Sequence, residues 1–319
     1  MKVKFHLPDF AVHYRTNLVF LTMLENCPHY FRDGVEIASI YGVFPPSLWN
    51  GGRTQGGDCT DDFIKIVTNT FNKKNIPLRF TFTNPVLEEK HLSDPFCNKV
   101  MDIANNGMNG VIVNSPLLEK YLREKYPNFK YTSSTCKRLN DGKALAEELK
   151  KNYDIVVVDY DLNHEYDVLE TLPNKDKCEF LVNAVCNPNC KLRSEHYKVI
   201  GQQQIAYCEF KKKHPSQDFD VHQYPELVES EATKCRCVDR NIFDVKKLKN
   251  TITPEEIWEK LVPMGFSQFK IEGRTASRLN LIETYIYYMI KPEYADEARF
   301  MLLYNLENNN VIRINRDYE

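Results

Sequence analysis

The chain has 319 residues, 42 % hydrophobic and 27 % charged, a globular balance that allows one large domain or two small ones. Its 42 basic and 44 acidic residues leave a formal charge of −2, which exerts no global pull toward nucleic acid or an anionic membrane. No apolar run approaches the ~20 residues that span a bilayer, and MKVKFHLPDF meets Pro8 and Asp9 too early for a signal-peptide core. The expectation is a cytoplasmic protein whose ten cysteines are thiols or metal ligands, not disulfides.

Short β-branched or apolar runs predict strands at 3–6, 35–40, 78–83, 110–114, 130–133, 155–159, 179–185 and 268–272. Helical stretches separate most of them. After the second strand, Phe63, Ile64, Ile66, Val67, Thr70 and Phe71 share one helical face, with Thr60 at the N-cap position. Leu117, Leu118, Tyr121 and Leu122 repeat that spacing after the fourth strand, and Leu145, Ala146 and Leu149 after the fifth. Leu279, Ile282, Ile286, Met289 and Ile290 do so after the eighth, and 293–319 reads as one more helix and a polar tail.

Eight strands, most followed by a helix, predict an α/β fold of the (β/α)8 TIM-like barrel type. The sixth strand, IVVVDYD, is apolar until its acidic end, as a strand buried on both faces would be. The stretch 186–263 is too long for a loop without structure of its own. It predicts an inserted cysteine-rich subdomain between the seventh and eighth strands. The expected division is 1–185 for the first seven strands, 186–265 for the insertion and 266–319 for the eighth strand, closing helices and tail.

Active sites of such barrels lie at the carboxyl ends of the strands. Those ends are polar here: His6 and Asp9, Tyr41, Asn84, Asn114 and Ser115, Ser134, Asp159 and Asp161, Asn183, then Glu272 and Arg274. Alternation puts Lys270, Glu272 and Arg274 on one face of the last strand. Three charges directed into a barrel are costly unless they meet each other or a ligand. A buried ion pair closing the barrel is the structural reading. The functional one makes Arg274 a clamp for a carboxylate or phosphate and Glu272 a group that orients the ligand or moves a proton. Asn114, Asp159 and Asn183 complete the catalytic candidates.

The cysteines concentrate just past the seventh strand: Cys186 and Cys190 in VNAVCNPNC, then Cys208, then Cys235 or Cys237 in KCRC. Four thiolates can hold zinc or an iron–sulfur cluster, and spacing alone does not separate the two. The loop FPPSLWNGGRTQGGDCT reads either as a mobile lid, with Trp49 covering a ring and Arg53 an anion, or as a plain surface loop. Asp159, Asp161 and His164 read as strand-end caps more readily than as a metal site. The run Lys211, Lys212, Lys213 reads as a solvated face. No G-x-S-x-G, H-E-x-x-H or P-loop is present.

Three segments carry a family resemblance. FKIEGRTASRLNLIETYIYYMIKPEY resembles the eighth strand and following helix of the peptidase U-32 (collagenase-like) family. EFLVNAVCNPNC is similar to its strand and first cysteine pair, and GVIVNSPLLEKYLREKYPNFKYTSST to its fourth strand, helix and fifth strand. The resemblance implies a barrel holding a four-cysteine [4Fe–4S] cluster, with Cys186, Cys190 and Cys208 as ligands. The family's fourth position, near Thr253-Pro254-Glu255, holds no cysteine here, so Cys235 or Cys237 must substitute. It further implies an oxygen-independent hydroxylase or other redox enzyme acting on a small organic substrate or a modified-base precursor, alone or with a protein partner of the same family. The alternatives are a cluster-bearing accessory subunit, a zinc-binding barrel protein, or a protease as the family label suggests. Charge gives no support to a nucleic-acid partner, and none to a membrane.

Overall fold

The computed structural model describes residues 2–313, so the end of the expected polar tail lies outside the described residues. Eight parallel strands close into a barrel in sequence order, β1-β2-β3-β4-β5-β6-β7-β8. The first half alternates β1 (Val3–Pro8), α1 (Tyr14–Asn26), β2 (Val35–Gly42), α2 (Asp61–Lys73), β3 (Leu78–Phe82), the short α3 (Glu89–Leu92) and α4 (Pro95–Ala104). Then follow β4 (Gly110–Val113), α5 (Pro116–Lys125), β5 (Lys130–Ser133), α6 (Gly142–Leu149), β6 (Ile155–Val158), α7 (Tyr166–Thr171) and β7 (Cys178–Leu181). The connection to β8 carries α8 (Arg193–Lys213), α9 (Ile242–Val245) and α10 (Pro254–Glu256); β8 (Gln268–Lys270), α11 (Arg278–Met289) and α12 (Ala295–Asn308) close the chain. This is a (β/α)8 barrel, as the alternation of runs predicts.

The two faces of the barrel wall differ in chemistry. Val3, Phe5, Leu7, Leu78, Phe80, Phe82, Val111, Val113, Val156, Val158, Phe180 and Phe269 face the helices and join one large apolar core. Burying such a side chain contributes roughly 1.5–3 kcal/mol, so this outer layer is where the fold gains most of its stability. The alternate positions hold the polar groups His6, Arg79, Thr81, Thr132, Glu179 and Lys270 beside the apolar Ile112, Val157 and Leu181, all buried. Barrel interiors are ordinarily filled by Val, Ile and Leu, so this one is unusually charged.

Thr60 caps α2, its side chain accepting from Phe63 N at 3.2 Å. Ile66 departs from the predicted stripe and is exposed, as is Leu279 in α11, where Leu281, Ile282, Tyr285, Ile286, Tyr288 and Met289 make the buried face. Strands seven and eight are shorter than predicted because the chain turns to aim Asn183 and Glu272 at each other and not along a ladder.

The segment 186–265 is built on a 21-residue helix, α8, with short turns after it. That helix packs on the barrel mouth. Gly201 is the point of closest approach: a Cβ there would lie 2.4 Å from Asn84 Oδ1, while Asn84 Nδ2 donates to Gly201 O at 3.1 Å. Gln204 accepts from Gln55 N at 2.8 Å and donates to Gln55 O at 3.1 Å, so α8 also holds down the loop after β2.

Candidate active site

The carboxyl ends of the strands, the loop 43–60 and the segment after β7 enclose a cavity of ≈ 110 Å³. Such a space suits several waters or a small molecule, not a drug-sized or polymeric ligand. Its charged lining is four cations, Arg53, Arg240, Lys270 and Arg274, against one carboxylate, Glu272. Tyr41, Cys136, Tyr160, Asn183, Cys186 and Tyr197 add polar or sulfur groups.

Glu272 is held from three sides. Its carboxylate pairs with Arg53 and accepts from Val185 N at 2.9 Å, while Asn183 grips its backbone. Arg274 spends three of its five N–H groups on the protein, donating to Asn50 Oδ1 at 2.8 Å and Gly51 O at 2.6 Å in the loop after β2 and to Thr81 Oγ1 on β3 at 2.9 Å. Gly51 lies so close to Thr83 that a Cβ there would meet its carbonyl at 2.5 Å. Arg274 is therefore a brace for this loop as well as a cavity cation. Burial pulls its guanidinium below the usual range, a cost that Tyr41 and Asp9 oppose.

Lys270 lies deeper. Its Nζ is 3.5 Å from Glu179 Oε1 and 4.1 Å from the centre of the Tyr41 ring. Glu179 is fully buried and also meets Arg79 Nη2 at 2.5 Å and His6 Nε2 at 3.4 Å. Burial alone would raise its pKa, but Arg79, His6 and Lys270 together hold it at about 2. For Lys270 burial is the largest influence and lowers the ammonium to about 8; Glu179 opposes this and the Arg79 and Arg274 charges add to it.

The other predicted catalytic residues divide. Asn183 reaches the cavity wall as a positioning residue for Glu272. Asp159 does not line it: fully buried, it accepts from Arg193 Nη1 at 2.8 Å and from Asp161 N at 3.0 Å. Asn114 donates weakly to Thr83 O at 3.4 Å and also stays outside the lining. Asp161 accepts from Asn189 N at 2.8 Å, and His164 lies 3.3 Å from Glu256, so these residues serve caps and ion pairs as the turn chemistry implies. The lysine run closes the C-terminal end of α8, with Lys212 paired to Asp94 at 2.6 Å.

The lid reading of Trp49 is corrected. Its indole is fully buried, donates to His91 O at 2.8 Å and packs edge-on against Phe82. A ring of that size is worth more in the core than over a solvent-filled mouth. Arg53, four residues on, does reach the cavity.

The five cysteines expected to bind a cluster separate into two places. Cys186 lines the cavity and contacts the Tyr160 hydroxyl; burial, reinforced by Glu272, pushes its thiol up to about 11. Cys237 is near enough to influence it and exchanges a hydrogen bond with Cys235; burial raises Cys237 as well. Cys190 follows on the loop whose carbonyl accepts from Arg138 at 3.3 Å. Cys208, by contrast, is buried far along α8, where Gln204 Nε2 donates to its sulfur at 3.5 Å and Asp94 and Lys212 are its charged neighbours. Burial pushes it up to about 12. Among the described residues, no group of three or more His, Cys, Asp or Glu side chains is arranged to hold a metal ion. A four-thiolate centre that includes Cys208 does not fit this arrangement.

Cys136, Tyr160 and Tyr197 were not singled out from sequence. Tyr160 directly follows one predicted strand end and Cys136 lies three residues past another, a positional signal; Tyr197 lies on α8, whose contribution has no local sequence signature.

No model of a known protein family matches the chain, and no curated protein matches it either. Among solved structures it is similar to the U32 peptidase Mk0906, with a TM-score of 0.51 and 12 % identity over 86 % of this chain and 94 % of that one. The two chains share a fold, the one that the KIEGR and VCNPNC segments imply. Among the described residues no helix is long and apolar enough to cross a membrane.

Proposed function

We propose that this chain is a divergent relative of the U32 peptidases and an enzyme whose barrel mouth binds a small anionic organic molecule. The observation that carries this reading is the lining of the mouth, four cations against one carboxylate. Within a partly enclosed, low-dielectric cavity, excess cations are stabilised by a ligand carrying carboxylate or phosphate. The size of the cavity excludes a folded polypeptide or a whole nucleic acid but admits a compact acid. Arg53 and Arg274 would orient the anion through the N–H groups their protein partners leave free. Glu272, fixed at its backbone and both oxygens, would face the reacting end.

Proteolysis receives little support. Among the described residues that line the cavity there is no histidine to activate Cys136, Cys186 or Ser134. Oxygen-independent hydroxylation or other redox chemistry is the second reading, favoured by two thiols, Cys136 and Cys186, in the same cavity. It calls for an iron–sulfur centre that the cysteines do not assemble with Cys208, and no catalytic step is assigned to such a centre.

Calorimetric titration with small carboxylates, phosphates and their neutral amide or alcohol analogues tests the proposal. Binding of acids and not of neutral isosteres is expected, weakened roughly tenfold or more by Arg53→Gln, the loss of one charge-assisted hydrogen bond. Equal binding of acids and neutral analogues would overturn it.

A further inference from the structure

We propose that Lys270 is a catalytic amine that condenses with the carbonyl of a small keto or aldehyde acid held in the barrel mouth. This deepens the anionic-substrate reading and rests on it.

Three geometric facts support the assignment. Lys270 lies on the inner face of β8 and lines the cavity, although only 9 % of its side chain is exposed. Its surroundings are cationic. The carboxylate in ion-pair contact with it, Glu179, already makes the closer contact with Arg79, 2.5 Å against 3.5 Å for Lys270, and the cavity's own carboxylate, Glu272, is engaged by Arg53 and Val185 N. The second guanidinium, Arg274, hydrogen-bonds only to neutral groups. The acid that acts on it, Asp9, is itself buried and engaged by Ala11 N, Val12 N and Gln55.

Two cations therefore share one carboxylate while a third lies unpaired nearby. The guanidinia cannot discharge, but a lysine can. His6, the other titratable group of this layer, is held neutral: burial and Arg79 lower it to about 3, and its ring nitrogens contact Ser39 and Gln268. Cys136 is a remaining neighbour and acts in the opposite sense. The balance enlarges the free-amine fraction over that of an exposed lysine, in agreement with the depressed Lys270 value of about 8, and that fraction grows as pH rises toward 8. Tyr41, fixed by donating to Ile271 O at 2.6 Å, sets its ring centre 4.1 Å from Nζ, a contact that positions the nitrogen and acts against its discharge.

A desolvated lysine beside other cations is the setting in which amines become nucleophilic. The neutral Nζ adds to the substrate carbonyl carbon, forming the C–N bond as the C=O π pair moves to oxygen. One proton passes from nitrogen to that oxygen. The oxygen then departs as water with a second proton drawn from solvent, leaving a cationic iminium. The substrate's acid group, held by Arg53 and Arg274, balances the charge. The iminium withdraws electrons from the adjacent carbon, which activates bonds there.

Reductive trapping tests the inference. The purified protein is incubated with pyruvate or glyoxylate and cyanoborohydride, which delivers hydride to the iminium carbon and fixes the adduct as a secondary amine. Intact mass and peptide mapping should show one adduct per chain at Lys270, formed roughly tenfold or more faster than at any exposed lysine. Lys270→Arg and Lys270→Met should lack it. Mapping the parent protein needs no variant, so a folding defect in either substitution leaves the test intact. Labelling of Lys270 at or below the rate of surface lysines overturns the proposal. If calorimetry shows the keto acid bound while Lys270 stays unlabelled, the covalent role falls and the anion site stands. If neither binding nor labelling occurs, both fall.

Discussion

Asn183 and Glu272 exchange two hydrogen bonds in which a side chain replaces a strand: Glu272 N donates to Asn183 Oδ1 at 2.6 Å, and Asn183 Nδ2 donates to Glu272 O at 3.0 Å. The β7–β8 ladder ends at Leu181 and Lys270, and the amide carries the pairing one step further. That step frees the Glu272 side chain to turn into the mouth.

Asn183→Ala leaves a backbone N–H and C=O unpaired beside a buried position. The expected cost is about 2 kcal/mol of unfolding free energy, read by urea denaturation. Asn183→Asp should be worse at neutral pH, because it cannot donate to Glu272 O and adds a second negative charge. An Asn183→Asp variant as stable as the parent would show that the reciprocal pair is not what sets Glu272.

The Arg53–Glu272 pair joins the loop after β2 to the turn that follows β8, with both side chains less than one fifth exposed. Removing one partner strands the other. Arg53→Gln and Glu272→Gln are each expected to cost about 3 kcal/mol, and the double variant clearly less than their sum. A double-mutant cycle measured by thermal or chemical unfolding reads this coupling. Strict additivity would mean that the two charges are held independently.

The barrel was legible because its signals are local. Eight runs such as FKI, GVIV and IVVV, each followed by a stripe such as that of α2, need no knowledge of tertiary contacts. Glu272 and Asn183 were legible for a related reason: a polar residue just past an apolar strand marks the barrel's working end. Lys270, Glu272 and Arg274 could be placed on one face by alternation alone, but their partners could not. Glu179, Asn50 and Arg53 meet them only through barrel closure. The helix α8 was the main loss. It buries Arg193, Gly201, Gln204 and Cys208 together with Val199 and Ile200, so its inward face is partly polar and shows no apolar stripe. Without that helix, Cys208 could not be separated from the other cysteines, and Asp159 could not be recognised as the partner of Arg193.

Asp9 gives a pH-dependent signature. Burial raises its carboxyl from 3.8 to about 6 against the opposing pull of Val12 N–H and Arg274. A carboxyl whose folded pKa exceeds its unfolded value contributes stability that is fully present below the unfolded pKa and lost as pH rises through the folded one. The loss runs from about pH 4 to pH 6 and amounts to about 3 kcal/mol. His6, lowered to about 3, acts in the opposite direction: its contribution is present above pH 6.5 and lost as pH falls toward 3. The parent curve therefore mixes the two, and only a difference isolates Asp9. Asp9→Asn keeps an acceptor for Ala11 N and Val12 N and cannot ionise. Its stability relative to the parent should rise between pH 4 and 6 and level off above, as read by urea unfolding at each pH. A constant difference across that range would refute the assignment.

The placement of Cys208 sets the last expectation. Its sulfur accepts from Gln204 within a pocket formed by α8 and the neighbourhood of Asp94, whereas Cys186, Cys235 and Cys237 belong to the mouth side of the segment after β7. A buried thiol of this kind acts as a small apolar side chain. Cys208→Ala should then lower stability by about 1 kcal/mol through lost packing and leave bound iron, labile sulfide and zinc at the level of the anaerobically prepared parent, whatever that level is. Cys186→Ala and Cys237→Ala provide the contrast, since any thiolate-bound metal at the mouth would depend on them. Metal analysis of the four proteins decides the matter. Selective loss of metal from Cys208→Ala would return Cys208 to a common thiolate set with Cys186, Cys190 and Cys237, and would require α8 to shift toward the mouth when metal binds.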